Sequence, residues 1–364
     1  MNTEKKKLTQ DELLGTIDKL PLPEHIRLME VCGTHTMAIA KSGIKSLLPK
    51  NVSMLSGPGC PVCVTPPGVI DKILALAMLN NVIIATYGDM IRVPGSTPGD
   101  HLAYRRAKGA KIHVVYSPVD AVEIAVQNPE KEVVFLGAGF ETTAPGTAAA
   151  VLTAQEKNIR NFSLFSMLKT VEPALRALIA SDGFNVQGFL CPGHVATIIG
   201  EKGFAFLPHD YGLPAVIAGF EAEDILLAVY RLLCQIALHE PEIENEYTRA
   251  VSREGNLLAQ KILAECFEKK PDEWRGLGMI EGSALKLTAS LEEFDAEKRF
   301  SDILAEVPHA CSQLPCRCGD VITGRLTAEQ CPLFAKRCVP EDPVGPCMVS
   351  SEGACAAAYK YGSF

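Results

Sequence analysis

Eight short apolar runs punctuate the first 240 residues, at 27–31, 51–55, 82–86, 111–116, 132–136, 162–167, 186–190 and 214–217. Most are continuous rather than alternating, which is the pattern of strands covered on both faces, as in a parallel sheet. Parallel neighbours need a crossover, and helical stretches lie between the runs, so the chain reads as α/β with right-handed crossovers. The clearest crossover helix runs from about Pro66 to Leu79, with Thr65 as its N-cap, Pro66 in its first turn and Asn80-Asn81 at its end. Eight strands are too many for one short sheet in this length. Two Rossmann-like α/β domains are expected, over 1–120 and 121–235. Residues 222–239 and 256–269 read as amphipathic helices, and 236–364 as a third, mostly helical and cysteine-rich domain.

The cysteines are distributed unevenly. Of 13 in 364 residues, seven fall after residue 310: Cys311, Cys316, Cys318, Cys331, Cys338, Cys347 and Cys355. The first residues lack the apolar core of a secretory signal, and no apolar run reaches membrane-spanning length. A cytoplasmic chain is therefore expected, and a disulfide framework is disfavoured there. A formal charge of −8 with no basic block argues against nucleic-acid or anionic-membrane binding. A dense cysteine tail in such a chain reads first as a metal or cluster site.

Five turns that follow strands carry reactive side chains, and in open α/β sheets sites form at the carboxyl ends of strands. Cys60-Pro-Val-Cys63 can close a disulfide or hold a metal, and it precedes a helix N-terminus, which favours thiolate. Cys32-Gly-Thr-His-Thr36 sets a thiol beside His35, which suits an activated nucleophile or a mixed sulfur–nitrogen metal site. Gly137-Ala-Gly-Phe-Glu-Thr-Thr143 lacks the ending of a P-loop. Its Glu141 is a candidate general acid or base, and Thr142 or Thr143 can cap the next helix. His194, in Cys191-Pro-Gly-His194, is a candidate proton carrier. The fifth turn is Tyr87-Gly-Asp-Met90. Cys191, Cys234 and Cys266 read as packing.

In the tail, Cys316, Cys331, Cys338 and Cys355 form one four-ligand set, with Cys311, Cys318 and Cys347 to spare. Zinc ribbons show two Cys-x2–4-Cys knuckles, whereas the closest pairs here are Cys311-x4-Cys316 and Cys316-x-Cys318, which share one cysteine. Widely spaced cysteines on separate loops suit an iron–sulfur cubane better, though zinc stays open.

Taken together, the Cys32-Gly-Thr-His-Thr, Gly57-Pro-Gly-Cys-Pro-Val-Cys63, Tyr87–Ser96, Gly139-Phe-Glu-Thr-Thr143, Pro192-Gly-His-Val195 and Gly345–Cys355 motifs resemble the [NiFe]-hydrogenase maturation factor family HypD, in order and from about residue 25 onward. The resemblance implies two Rossmann-like domains plus a cluster domain. It implies an assembly scaffold with redox activity rather than a conventional turnover enzyme. The partners would be a HypC-type small chaperone and a HypE-type cyanide donor, and the product the Fe(CN)2CO moiety. It makes Cys32 the ligand of a transient Fe(II) carrying CN and CO, and Cys60 and Cys63 a redox dithiol. The tail cysteines would hold a [4Fe-4S] cluster near that dithiol, as in ferredoxin:thioredoxin reductase. A disulfide reductase using the same dithiol and cluster is the competing reading.

Overall fold

The computed structural model of the chain describes residues 9–308 and 315–362. Cys311 lies outside them. All eight expected strands form: β1 (Ile26–Glu30), β2 (Val52–Ser56), β3 (Val82–Thr86), β4 (Lys111–Val114), β5 (Glu132–Gly139), β6 (Phe162–Leu168), β7 (Gly188–Pro192) and β8 (Ala215–Ala218). A short β9 (Ile243–Asn245) and two longer strands, β10 (Phe267–Trp274) and β11 (Gly278–Leu287), complete the set. The strands β3, β5, β7 and β8 are apolar and almost wholly buried, as two-sided cover demands.

Two parallel sheets result. The first has the order β2-β1-β7-β8-β9 and the second β4-β3-β5-β6. Both are doubly wound, with strand order reversing beside β1 in the first and beside β3 in the second. Sheet membership cuts across the expected division at residue 120. The chain lays down β1 and β2, leaves to build the whole second sheet, and returns with β7 to finish the first. Strand sequence encodes burial on two faces but not which neighbour a strand takes, so contiguity along the chain was a poor guide to pairing.

The region after 236 is less helical than expected. The helix Leu257–Cys266 ends three residues early and gives way to the antiparallel β10–β11 hairpin. Pro271 cannot continue a helix, and it sits where the register of the hairpin shifts, between Lys270 and Asp272. The hairpin packs on β6 and on the helix Val171–Ile179. Lys169, at the end of β6, is buried beneath it. Its Nζ donates to Asp272 Oδ2 at 2.6 Å and to Glu273 O at 2.8 Å, over the face of Trp274.

Thr65 does not cap the crossover helix. That helix, Pro67–Ala77, starts after Pro66, and Thr65 instead closes the four-residue helix Pro61–Val64, donating its hydroxyl to Pro61 O at 2.9 Å. The tail contributes three short helices, Cys318–Ile322, Pro346–Val349 and Ala354–Tyr361. The first two pack on Pro61–Val64, and the third lies along the helix Gly33–Ser42.

Candidate thiol site

In doubly wound sheets the crevice opens where strand order reverses, at the carboxyl ends of the strands. In the first sheet that point lies between β1 and β7, and the turns leaving those strands carry Cys32, His35 and His194. Cys32 is the N-cap of the helix Gly33–Ser42. Burial pushes its thiol up to about 12, while the His35 amide draws it back down. His35 is fully buried. Its Nε2 donates to Gly219 O at 2.8 Å, which fixes the tautomer and leaves Nδ1 with a lone pair and no hydrogen-bond partner. Burial lowers its pKa to about 4, so it is neutral at physiological pH. Phe220 stacks between the two imidazoles, 4.7 Å from His35 and 3.9 Å from His194.

Two carboxyl groups that the sequence reading passed over border this group. Glu30, at the end of β1, accepts the Cys32 amide at 3.0 Å and the Thr36 hydroxyl at 2.5 Å. Burial raises it to about 7 against these hydrogen bonds. A carboxylate closing a strand right before the Cys32 turn was the signal available for it. Glu352 arrives from the tail and accepts the Thr34 hydroxyl at 2.7 Å. Its Cβ occupies the space that a side chain on Gly33 would need.

The Cys-Pro-Val-Cys turn lies against the Cys32 turn. Gly33 N donates to Gly59 O at 3.1 Å, and Gly59 packs directly on the backbone of Val31 and Cys32. Cys60 caps the helix Pro61–Val64, its sulfur accepting the Cys63 amide at 3.2 Å. Cys63 departs from the expectation of a thiolate favoured by a helix terminus. Its thiol is raised well above the ordinary value because burial outweighs what a single helical turn supplies.

From Cys63 a line of thiols runs into the tail: Cys63 faces Cys347, Cys347 faces Cys318 and Cys355, and Cys318 faces Cys316. Cys338 interacts with Cys316 and Cys355, and its sulfur accepts the Val344 amide at 3.3 Å. Cys318 N lies 3.4 Å from the Cys316 sulfur. Of the four expected cluster ligands, Cys316, Cys338 and Cys355 thus share one neighbourhood. Cys331 is half-buried on the same core, beside Arg317. Among the described residues, no three histidine, cysteine or acidic side chains are already posed as a cage for a metal ion. The donor set is nonetheless soft sulfur with amides aimed at it, and that is the chemistry a [4Fe-4S] cluster requires. Arg275, at the tip of the hairpin, donates to Thr65 O and sits near Cys316 and Cys318.

Glu141 belongs to the other sheet. Its Oε1 accepts the Val171 amide at 2.9 Å, tethering the first turn of the helix Val171–Ile179. Thr143 precedes the helix Ala144–Glu156 without a side-chain capping bond. Cys191 and Cys266 are fully buried among apolar neighbours, and Cys234 is half-buried. Burial raises Glu141 to about 7, above its unfolded value of 4.5. The folded chain therefore holds the extra proton between those values, and the stability this gives is lost as pH rises through 7. Glu141→Gln copies the neutral form. It is expected to stabilise the protein at pH 8 by about 3 kcal/mol and to change little at pH 5, read as thermal midpoints at both pH values.

The fold and this arrangement define an α/β protein with thiols gathered at two strand-end turns, against which a cysteine-rich tail folds back. Residues 9–362 match the family model HypD, described as the Hydrogenase formation hypA family. The chain is 45% identical to the hydrogenase maturation factor HypD2 of Bradyrhizobium diazoefficiens, over 93% of its own length and 90% of that protein's. It is 45% identical to the hydrogenase maturation factor HypD of Escherichia coli, over 92% and 89% of the two lengths. Against that of Cupriavidus necator it is 44% identical over 94% and 91%. The chain belongs to the HypD family of hydrogenase maturation factors. No helix among the described residues is long and apolar enough to cross a membrane.

Proposed function

We propose that the chain is a cytoplasmic scaffold on which the Fe(CN)2CO moiety of [NiFe] hydrogenase is assembled, together with a HypC-type chaperone and a HypE-type cyanide donor. The observation that carries this reading is the seating of Cys32 at the strand-order reversal, against the Cys60/Cys63 turn, with His35, His194 and Glu352 around it. Fe(II) is the cargo. A soft thiolate at Cys32 anchors it, and the other positions stay free for strong-field ligands and for the partner's thiol. His35, held by Gly219 O, keeps its ring in one orientation, and its free Nδ1 lone pair is available to the cargo or to a ligand on it. His194, exposed at the rim, is the group placed to pass protons.

The Cys60/Cys63 pair works as a redox dithiol rather than as a metal ligand. Cys316, Cys331, Cys338 and Cys355 would hold a [4Fe-4S] cluster, which supplies single electrons when bound. Cys318 and Cys347, left spare by that set, stand between it and Cys63.

The second reading, a disulfide reductase acting on a protein substrate, draws on the same line of thiols. Iron analysis and infrared spectroscopy of the protein isolated without oxygen, with its co-purifying partner, separate the two. Iron beyond one cluster, with CN and CO stretching bands, is the expected result. About four irons per chain and no such bands would establish the reductase.

A further inference from the structure

The Cys60/Cys63 pair is buried: Cys60 is 5% exposed and Cys63 fully enclosed. Reducing a disulfide there takes two electrons and two protons, one for each sulfur. A line of thiols can carry electrons inward, but it leaves open where the protons enter.

The hydrogen bonds around Cys60 answer this for one of them. The Cys60 thiol donates to Ser350 Oγ at 3.5 Å. Ser350 Oγ donates in turn to Asp89 Oδ2 at 2.9 Å. Ser351 fixes the same carboxylate oxygen with its amide and its hydroxyl, both at 3.0 Å. Ser350 is itself buried, 1% exposed, and also accepts the Glu352 amide at 3.2 Å. A serine hydroxyl has one proton to give. Here it points at Asp89, so the oxygen faces Cys60 only as an acceptor. The three groups form one directed series, from a thiol through a hydroxyl to a carboxylate. Asp89 sits in the turn after β3, where it is only half-buried next to the exposed Gly88. The series therefore joins a buried sulfur to the solvent side of the second sheet.

We infer that Asp89 and Ser350 are the proton path of Cys60, carrying its proton to and from solvent as the Cys60/Cys63 pair cycles between dithiol and disulfide. Oxidation by a disulfide-class oxidant breaks the oxidant's S–S bond and the Cys60 and Cys63 S–H bonds, forms the Cys60–Cys63 S–S bond, and releases two thiols, one taking the Cys63 proton and the other a proton from solvent in place of the one Cys60 gives up. The Cys60 proton passes to Ser350 Oγ while the Ser350 proton passes to Asp89. Reduction by a dithiol-class reductant reverses each step, closing that reductant into its own disulfide. Asp89 and Ser350 act through Cys60 and are positioning residues with a proton-transfer role. The inference rests on the redox-dithiol reading.

The test follows disulfide formation and reduction in the full-length protein, using glutathione disulfide and dithiothreitol as probes. Alkylation trapping and peptide mass spectrometry score Cys60 and Cys63 separately. Asp89→Asn and Ser350→Ala are each expected to slow both directions on the order of 100-fold. The double variant is expected to be no slower than either, because the groups act in series. Ser350→Thr keeps the hydroxyl and is expected to retain the wild-type rate, and the midpoint potential is expected to stay the same in all four. Unchanged rates in Asp89→Asn, additive slowing, or a shifted midpoint would overturn the path while leaving the dithiol standing. Failure of the wild-type pair to form a disulfide at all would overturn the dithiol reading and the path with it.

Discussion

Cys32→Ala is expected to reduce the iron that the chain carries beyond its tail site to background and to erase the CN and CO bands of the complex with its partner. The change removes one sulfur atom and leaves the backbone of the turn intact. Glu30 still receives the residue-32 amide, and Gly33 still donates to Gly59 O. The cost in stability is therefore about 1 kcal/mol, whereas the loss of cargo is complete. His35 and Glu352 cannot replace the sulfur, because nitrogen and oxygen donors do not match the soft field that a cyanide-bearing iron needs. Cys234→Ser is the control. That thiol lies in the helix Ala222–Leu238 of the first sheet's cover, and its loss is expected to leave iron content unchanged. Full iron loading in Cys32→Ala, measured by metal analysis on the anaerobic complex, would sink the assignment.

Gly59→Ala should be the most damaging methyl group one can add to the seam between the Cys32 and Cys60/Cys63 turns. A Cβ at that position would collide with Cys32 N and with Val31 C and O. All three are backbone atoms, so no side-chain rotation relieves the overlap. The two turns must separate, and the Gly33–Gly59 hydrogen bond is strained or lost. A destabilisation of about 3 kcal/mol is expected, seen as a lowered thermal midpoint, and with it loss of iron capture even though every thiol is present. Gly68→Ala offers the comparison. Its Cβ would meet nothing within 4 Å, in the helix Pro67–Ala77, where alanine is the better residue. That variant is expected to be at least as stable as the wild type. Equal midpoints for the two variants would show that the turns have room to part without consequence.

The strands were readable because two-sided burial writes itself into five or six consecutive apolar residues. Each expected run meets its strand to within about two residues, except that β5 runs three residues past the expected end at 136. Pairing was only partly readable, since β1 takes β2 from its own stretch of chain on one side but β7, from far along the chain, on the other. The hairpin β10–β11 was obscured by its lysines and acids, which alternate with few buried positions such as Phe267 and Trp274. Cys32, His35 and His194 were legible from residue type and from their place after strands. Glu30, Phe220 and Glu352 were not, because their part is settled by contacts across the fold. Glu352 lies within a quoted motif, yet nothing in Ser-Ser-Glu-Gly announces that it reaches Thr34, 318 residues earlier. Asp89 reads from the sequence only as a turn residue. Its bond to Ser350 spans 261 residues, and no local pattern encodes that.

The way the chain threads its two sheets also bears on its manufacture. Arg27 N is bound by Gln187 Oε1, 160 residues further on, at the seam where β1 meets β7. At ribosomal speeds of about 5–20 residues per second, the first sheet waits roughly 10–30 s for its central partner. During that interval β1 and β2 are an orphaned pair whose open β1 edge is a template for wrong partners. The second sheet, by contrast, draws all four of its strands from one uninterrupted stretch and can close while the ribosome is still at work. It would then serve as the platform on which the thiol-bearing strands are finally assembled.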